Sequence, residues 1–114
     1  MNLLDTDVII EMLRKKEYES GAISLITLIE VLRGLKAEKR PEVKRLLEES
    51  FTLLNIDNKT IETYCTLYGK LREEGTPIPD ADLLIAATAI AHNLQLKTKD
   101  EHFQKLTTLG LTLT

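Results

Sequence analysis

Short aliphatic runs alternate along this chain with stretches of helical periodicity. Asn2 to Leu4 is the first run, Asp5-Thr6-Asp7 ends it, and a helix is predicted from Val8 to Arg14. A second run, Ala22 to Leu25, leads into an amphipathic stretch from Thr27 to Ala37. Pro41 suits a first helical turn, where its missing N–H would be unpaired anyway, so it opens another helix through Glu49. The β-forming run Phe51 to Ile56 follows. Asp57 or Asn58 can then cap a long helix, in which Ile61, Tyr64, Cys65, Tyr68 and Leu71 recur at helical spacing and Gly75 is the stop.

Beyond the Pro77-Ile78-Pro79 turn, Asp80 starts a helix that is apolar on nearly every side, from Leu83 through Ala91. Such a helix must be buried, and its alanines let neighbouring backbones come close. Asn93 is a left-handed stop, Leu94 to Thr98 reads as a strand, Asp100 to Leu106 as a short helix and Leu111 to Leu113 as a last strand. Strands alternating with helices imply an α/β fold, with a central, mainly parallel sheet of about four to five strands between helical layers.

The chain of 114 residues has the size of one domain, 1–114. Aromatic residues are 4% with no Trp, so the core must be aliphatic. The apolar run Leu83 to Ala91 is about half of what a membrane span needs, and the amino terminus lacks the basic and apolar segments of a signal peptide. One cysteine, Cys65, excludes an internal disulfide and suits a reducing cytosol, so a cytoplasmic location is expected. Cys65 falls on the apolar side of its predicted helix, where a free thiol acts as a small hydrophobe. A net charge of −3 argues against binding nucleic acid by bulk positive field. Locally, however, Arg33, Lys36, Lys39, Arg40, Lys44 and Arg45 outnumber Glu38 and Glu42; they form either a solvated helical face or a patch that touches phosphate.

In open α/β sheets, ligands bind beyond the carboxyl ends of the strands. The first strand ends at Asp5; the second leads into a helix carrying Glu30; the penultimate helix begins Asp80-Ala81-Asp82; the fourth strand ends in Thr98-Lys99-Asp100. Each acid has a structural explanation too. Asp5, Asp7, Asp80 and Asp100 could be N-caps, Thr27-Leu28-Ile29-Glu30 fits a capping box, and Asp82 suits a helix dipole. Four acids recurring at one edge are harder to explain that way. Gathered carboxylates raise one another's pKa unless a cation neutralises them, and oxygen ligands favour Mg²⁺ or Mn²⁺ over zinc. His92 and His102 fall on separate helices without ligand spacing, and no Gly-rich phosphate loop is present. A bound divalent ion would suit phosphodiester hydrolysis.

Leu3-Leu4-Asp5-Thr6-Asp7-Val8-Ile9-Ile10 resembles the opening motif of PIN domains, and Ser24 through Gly34 is similar to their second motif. Asp80-Ala81-Asp82-Leu83-Leu84-Ile85-Ala86-Ala87-Thr88-Ala89 resembles the third and Leu96-Lys97-Thr98-Lys99-Asp100-Glu101-His102-Phe103 the fourth. The resemblance covers essentially the whole chain and implies a three-layer PIN-like fold. It implies a metal-dependent endoribonuclease of the VapC toxin type, working with Mg²⁺ or Mn²⁺. By the same resemblance Asp5, Glu30, Asp82 and Asp100 would be catalytic, with Asp5, Asp82 and Asp100 on the metal and Asp80 and Thr98 as accessories. The expected substrate is RNA, contacted by Arg33, Lys36 and Arg40 if the basic stretch takes part. The expected partners are a small VapB-like antitoxin and a second copy of the chain, with no membrane. Asp5-Thr6-Asp7 also resembles the nucleophile motif of haloacid-dehalogenase phosphatases, and a catalytically silent binding module would keep the same fold.

Overall fold

The computed structural model describes residues 1–114. Four three-residue strands form one wholly parallel sheet: β1 (Asn2–Leu4), β2 (Ala22–Ser24), β3 (Thr52–Leu54) and β4 (Gln95–Lys97). Their spatial order is β3-β2-β1-β4. Helices α1 (Thr6–Lys15), α2 (Leu25–Arg33), α3 (Arg40–Ser50), α4 (Asn58–Glu74) and α5 (Asp80–Ala91) fill the connections. β1 keeps the predicted bounds, whereas β2, β3 and β4 are shorter than predicted, because flanking residues are taken up by helix starts and turns. Leu25 begins α2, and a 3₁₀ turn at Ala37–Lys39 separates α2 from α3.

Alternation along two central strands makes the three layers. Leu3 and Ala22 face a core built with α4, α5 and the carboxyl-terminal segment; Leu4 and Ile23 face a second core with Val8, Ile9, Leu28 and Leu47. Successive strand residues point to opposite faces, so a strand covered on both sides must be apolar throughout. On α5, Ala86, Ala87 and Ala89 are fully buried, and α4 lies along this helix. Asn93, at φ 55°, makes the expected left-handed turn into β4.

Three expectations are corrected. Leu111 to Leu113 forms only a single parallel bridge, Leu113 to Leu96, because Gly110 and the preceding turn leave too few residues to pair. The short helix after β4 is 3₁₀, spanning Glu101–Leu109. On α4 the buried stripe is Thr60, Leu67 and Leu71, which turns Ile61, Cys65 and Tyr68 outward. Cys65 is therefore an exposed thiol rather than a core residue.

The order of strands reverses at β1, whose neighbours are β2 and β4. Gly21 lets β1 and β2 meet there: a Cβ would lie 2.9 Å from the Asn2 carbonyl oxygen and 3.1 Å from the Leu4 side chain. The backbone cannot yield without moving β1, so Gly21→Ala should cost about 1–3 kcal/mol, as overpacking does. Urea denaturation would measure this, and an unchanged midpoint would show that β1 is less constrained than its packing indicates.

Candidate functional site

Parallel strands connected by helices place every strand end, and every following helix start, on the same edge of the sheet. Asp5 leaves β1 on this edge, Thr98 and Asp100 leave β4, and α1, α2 and α5 all begin there. Helix amino termini carry partial positive charge and tolerate carboxylates. Asp5 caps α1, its Oδ1 accepting the Thr6 N–H at 2.8 Å, while Asp82 lies in the first turn of α5. Glu30 sits further along α2, and its long side chain leans back toward that helix's start.

Hydroxyls fix these acids. Thr98 Oγ1 donates to Asp5 Oδ2 at 2.6 Å and accepts the Asp100 N–H at 3.0 Å, so one threonine joins the ends of β1 and β4. Thr6 Oγ1 donates to Glu30 Oε1 at 2.6 Å and lies 3.1 Å from the Thr27 hydroxyl. Glu30 is thus not the closing member of a capping box: α2 is capped by Ser24, which accepts the Thr27 N–H at 3.0 Å. Arg33 approaches Glu30 Oε2 at 3.5 Å.

Asp82 and Asp100 are joined through a residue that spacing did not reveal. His102 places Nε2 2.9 Å from Asp82 Oδ2 and Nδ1 2.7 Å from Asp100 Oδ1. Asp100 also caps the 3₁₀ segment by accepting the His102 N–H. The signal available in the sequence was proximity: His102 follows Asp100 by two residues, a separation that a tight capping turn closes. Thr6 is likewise a missed residue, and its partner Glu30 is 24 positions away.

Asp80 stands apart from this group. Its Oδ1 accepts the Tyr64 hydroxyl at 2.7 Å, which holds the tyrosine ionisation up at about 12, and it makes no cap because Pro79 occupies that position. In the basic stretch, Arg40 donates to the Leu32 carbonyl at 3.1 Å, closing the end of α2, and Lys44 pairs with Glu48. Lys36 is exposed. A groove of about 350 Å³ lies beside the acids rather than over them; its Lys15 and Lys99 pair with Glu11, and Lys97 pairs with Glu19.

Asp5 is 5% exposed, and burial, opposed by its hydrogen bonds and reinforced by Asp7 and Asp82, pushes its carboxyl up to about 6. Burial also raises Asp82, the charges of Glu30 and Asp100 adding to the effect and His102 opposing it. Asp7 Oδ2 accepts the Lys99 N–H at 3.1 Å, whereas its Oδ1 is buried with no hydrogen-bond partner. Crowded carboxylates with raised pKa, and one orphaned acceptor beside them, are a donor set that fits a divalent cation.

A parallel α/β sheet with oxygen donors gathered at its carboxyl edge defines a protein of the metal-binding carboxylate class. The PIN domain family model matches residues 3–109, and the chain belongs to this family. It is 39% identical over 113 residues to Ribonuclease VapC1 of Methanocaldococcus jannaschii, across 96% of this chain and 83% of that one. It is 36% identical over 92 residues to Ribonuclease VapC4 of Mycobacterium tuberculosis, across 75% and 70% of the two chains. A chain in the structure of VapBC-1 from nontypeable Haemophilus influenzae matches with a TM-score of 0.83 and 25% identity, over 99% of this chain and 96% of that one. Membership of the PIN family over most of the chain removes the phosphatase reading of Asp5-Thr6-Asp7.

Asp5 also makes a measurable demand on stability. Its folded carboxyl titrates near 6 against an ordinary 3.8, so folding takes up a proton between those values. The contribution of Asp5 to the stability of the metal-free protein therefore falls as pH rises from about 4 through 6. Asp5→Asn removes that cost. In EDTA at pH 7.5 the variant should be more stable than wild type by roughly 1–3 kcal/mol, with the gap closing near pH 4. Thermal melts at the two pH values test this; a less stable variant at pH 7.5 would mean that the lost Thr6 and Thr98 hydrogen bonds outweigh the burial of charge.

Proposed function

We propose that this chain is a divalent-metal-dependent endoribonuclease and the toxin of a type II toxin–antitoxin module, acting as one nuclease unit over 1–114. The observation that carries this reading is a carboxylate edge in a PIN-domain chain that is 39% identical to a Ribonuclease VapC1. Asp5, Asp82 and Asp100 would hold Mg²⁺ or Mn²⁺, with Glu30 completing the catalytic set. Bound there, the ion would polarise the phosphoryl group and ease ionisation of the attacking water. Glu30, fixed through Oε1 by Thr6, would use Oε2, which Arg33 approaches at 3.5 Å, to order that water. Thr98 keeps Asp5 oriented, and the Tyr64–Asp80 pair braces the start of α5 as an accessory. Of the basic candidates, Lys36 is exposed, Arg33 borders Glu30 and Arg40 is engaged with α2, so Lys36 and Arg33 are the better placed to meet RNA phosphate.

The matched neighbour is part of a VapBC structure, which supports a small VapB-like antitoxin as partner. An acidic edge attracts a basic side chain, so an antitoxin Arg or Lys directed at Asp5 and Asp82 would compete with the metal through charge-assisted hydrogen bonds. No helix is long and apolar enough to cross a membrane, and a cytoplasmic site of action follows from the RNA substrate.

Purified protein should cleave single-stranded or looped RNA in Mg²⁺ or Mn²⁺ and stop in EDTA. Unpaired RNA is favoured because its backbone can bend to a recessed ion while a duplex is stiff. Asp82→Asn should lower the rate at least about 10–100-fold, the usual cost of disturbing a metal site. Cleavage that survived both EDTA and the Asp5→Asn/Asp82→Asn change would sink the metal-nuclease reading, and no cleavage under any condition would favour the silent module.

A homodimer is part of the same reading. The outward stripe Ile61, Cys65 and Tyr68 on α4 gives it an apolar face, with Ile61 47% and Tyr68 46% exposed. Light scattering at micromolar concentration should give twice the 12.9 kDa chain mass; a monomer alone would remove the dimer from the proposal.

A further inference from the structure

We propose that His102 Nε2 is itself a ligand of the divalent ion, adjacent to Asp82, and that Asp100 holds the imidazole in the form that permits this. The inference rests on the metal-nuclease reading and extends it to the ion's identity. His102 lies between two carboxylates, with Nδ1 2.7 Å from Asp100 and Nε2 2.9 Å from Asp82. Asp100 is fixed as the cap of the 3₁₀ segment, and the imidazole stacks on the buried Phe103 ring at 5.1 Å between centroids. The ring plane is therefore set from two sides.

A neutral imidazole carries one N–H. With Nδ1–H donated to Asp100, a neutral ring would turn its Nε2 lone pair toward Asp82 Oδ2, 2.9 Å away, so that both atoms could serve one cation. Donors about 2.1 Å from one octahedral ion, at a right angle, stand about 3 Å apart. The observed separation therefore suits two donors to one ion as well as it suits a hydrogen bond. A carboxylate on the other ring nitrogen is also the arrangement by which ligating histidines are oriented. Both contacts of Asp100 with His102 run through Oδ1, which leaves Oδ2 as the oxygen that would ligate the ion. Ligand atoms of Asp82, Asp100 and His102 all lie within 4.8 Å of one another.

The chemical consequence is selectivity. Oxygen donors suit Mg²⁺, whereas an imidazole nitrogen shifts preference toward first-row transition ions such as Mn²⁺. His92 cannot supply that nitrogen, because it sits at the far end of α5 against Asp57, 3.3 Å away.

Pulsed EPR on the Mn²⁺-loaded full chain tests ligation directly, since a coordinated imidazole couples its nitrogen to the ion. The coupling should be present in wild type, change pattern when histidine alone carries ¹⁵N, and vanish in His102→Gln. Calorimetric titrations should show Mn²⁺ affinity falling about 10–100-fold in His102→Gln, with a smaller loss for Mg²⁺. The labelling experiment needs no variant, so a poorly folding substitution does not blunt the test. Bound Mn²⁺ without nitrogen coupling, or equal losses for both ions, would overturn the ligand assignment and leave the nuclease reading standing. Failure of the wild-type chain to bind either ion would overturn both.

Discussion

Carboxylates crowded at one edge of a parallel sheet are the constraint on which the rest of this structure depends. Asp5 is buried where the strand order reverses, near enough to Asp7 and Asp82 for their charges to raise its pKa, while Asp82 feels Glu30 and Asp100 in turn. Like charges so placed would drive the edge apart if nothing opposed them. The fold opposes them with donors, namely the Thr6 and Thr98 hydroxyls, the amino terminus of α1 and the His102 ring toward Asp100, and with the dipole of α5 at Asp82. None of these neutralises the cluster fully. The remaining imbalance of negative charge suits a cation, which would allow a protein of net charge −3 to meet a polyanion at this edge.

Holding that imbalance requires a stiff frame. The strands are only three residues long, and the central pair, β1 and β2, owes its order to burial on both faces rather than to length. Leu3 and Leu4 anchor β1 in two different cores, and Gly21 permits the close approach of β2. The small buried residues of α5 let it sit close against α4, which fixes the position of Asp82 in its first turn. Apolar packing thus supplies the rigidity that the polar edge lacks.

The alternation of elements, the parallel sheet and the acids at strand ends were legible because each is a local pattern. Asp57 and Gly75 bound α4 as their chemistry suggests, since Asp57 accepts the Thr60 N–H and Gly75 takes a positive φ. The orientation of α4 was not legible. Its apolar residues fall on two stripes of similar character, and only the position of α5 decides that Leu67 and Leu71 go inward while Ile61, Cys65 and Tyr68 do not. The cap of α2 was not legible for a related reason. Ser24 and Thr27 are both competent caps, and β2 runs directly into α2, so its last residue, Ser24, takes the position.

By itself the sequence determined which residues could carry charge at the acidic edge and which elements bring them there, because strand ends and helix starts are set by neighbours along the chain. Only the tertiary structure decided which side chains meet. Thr6 reaches Glu30 across 24 positions, Thr98 reaches Asp5 across 93, and His102 comes between Asp82 and Asp100 only when β4 lies beside β1. Tyr64, from a different helix, takes Asp80 out of the acidic group in the same way. Propensity and periodicity act over a few residues, while these contacts depend on the order in which strands pair, which no local pattern encodes.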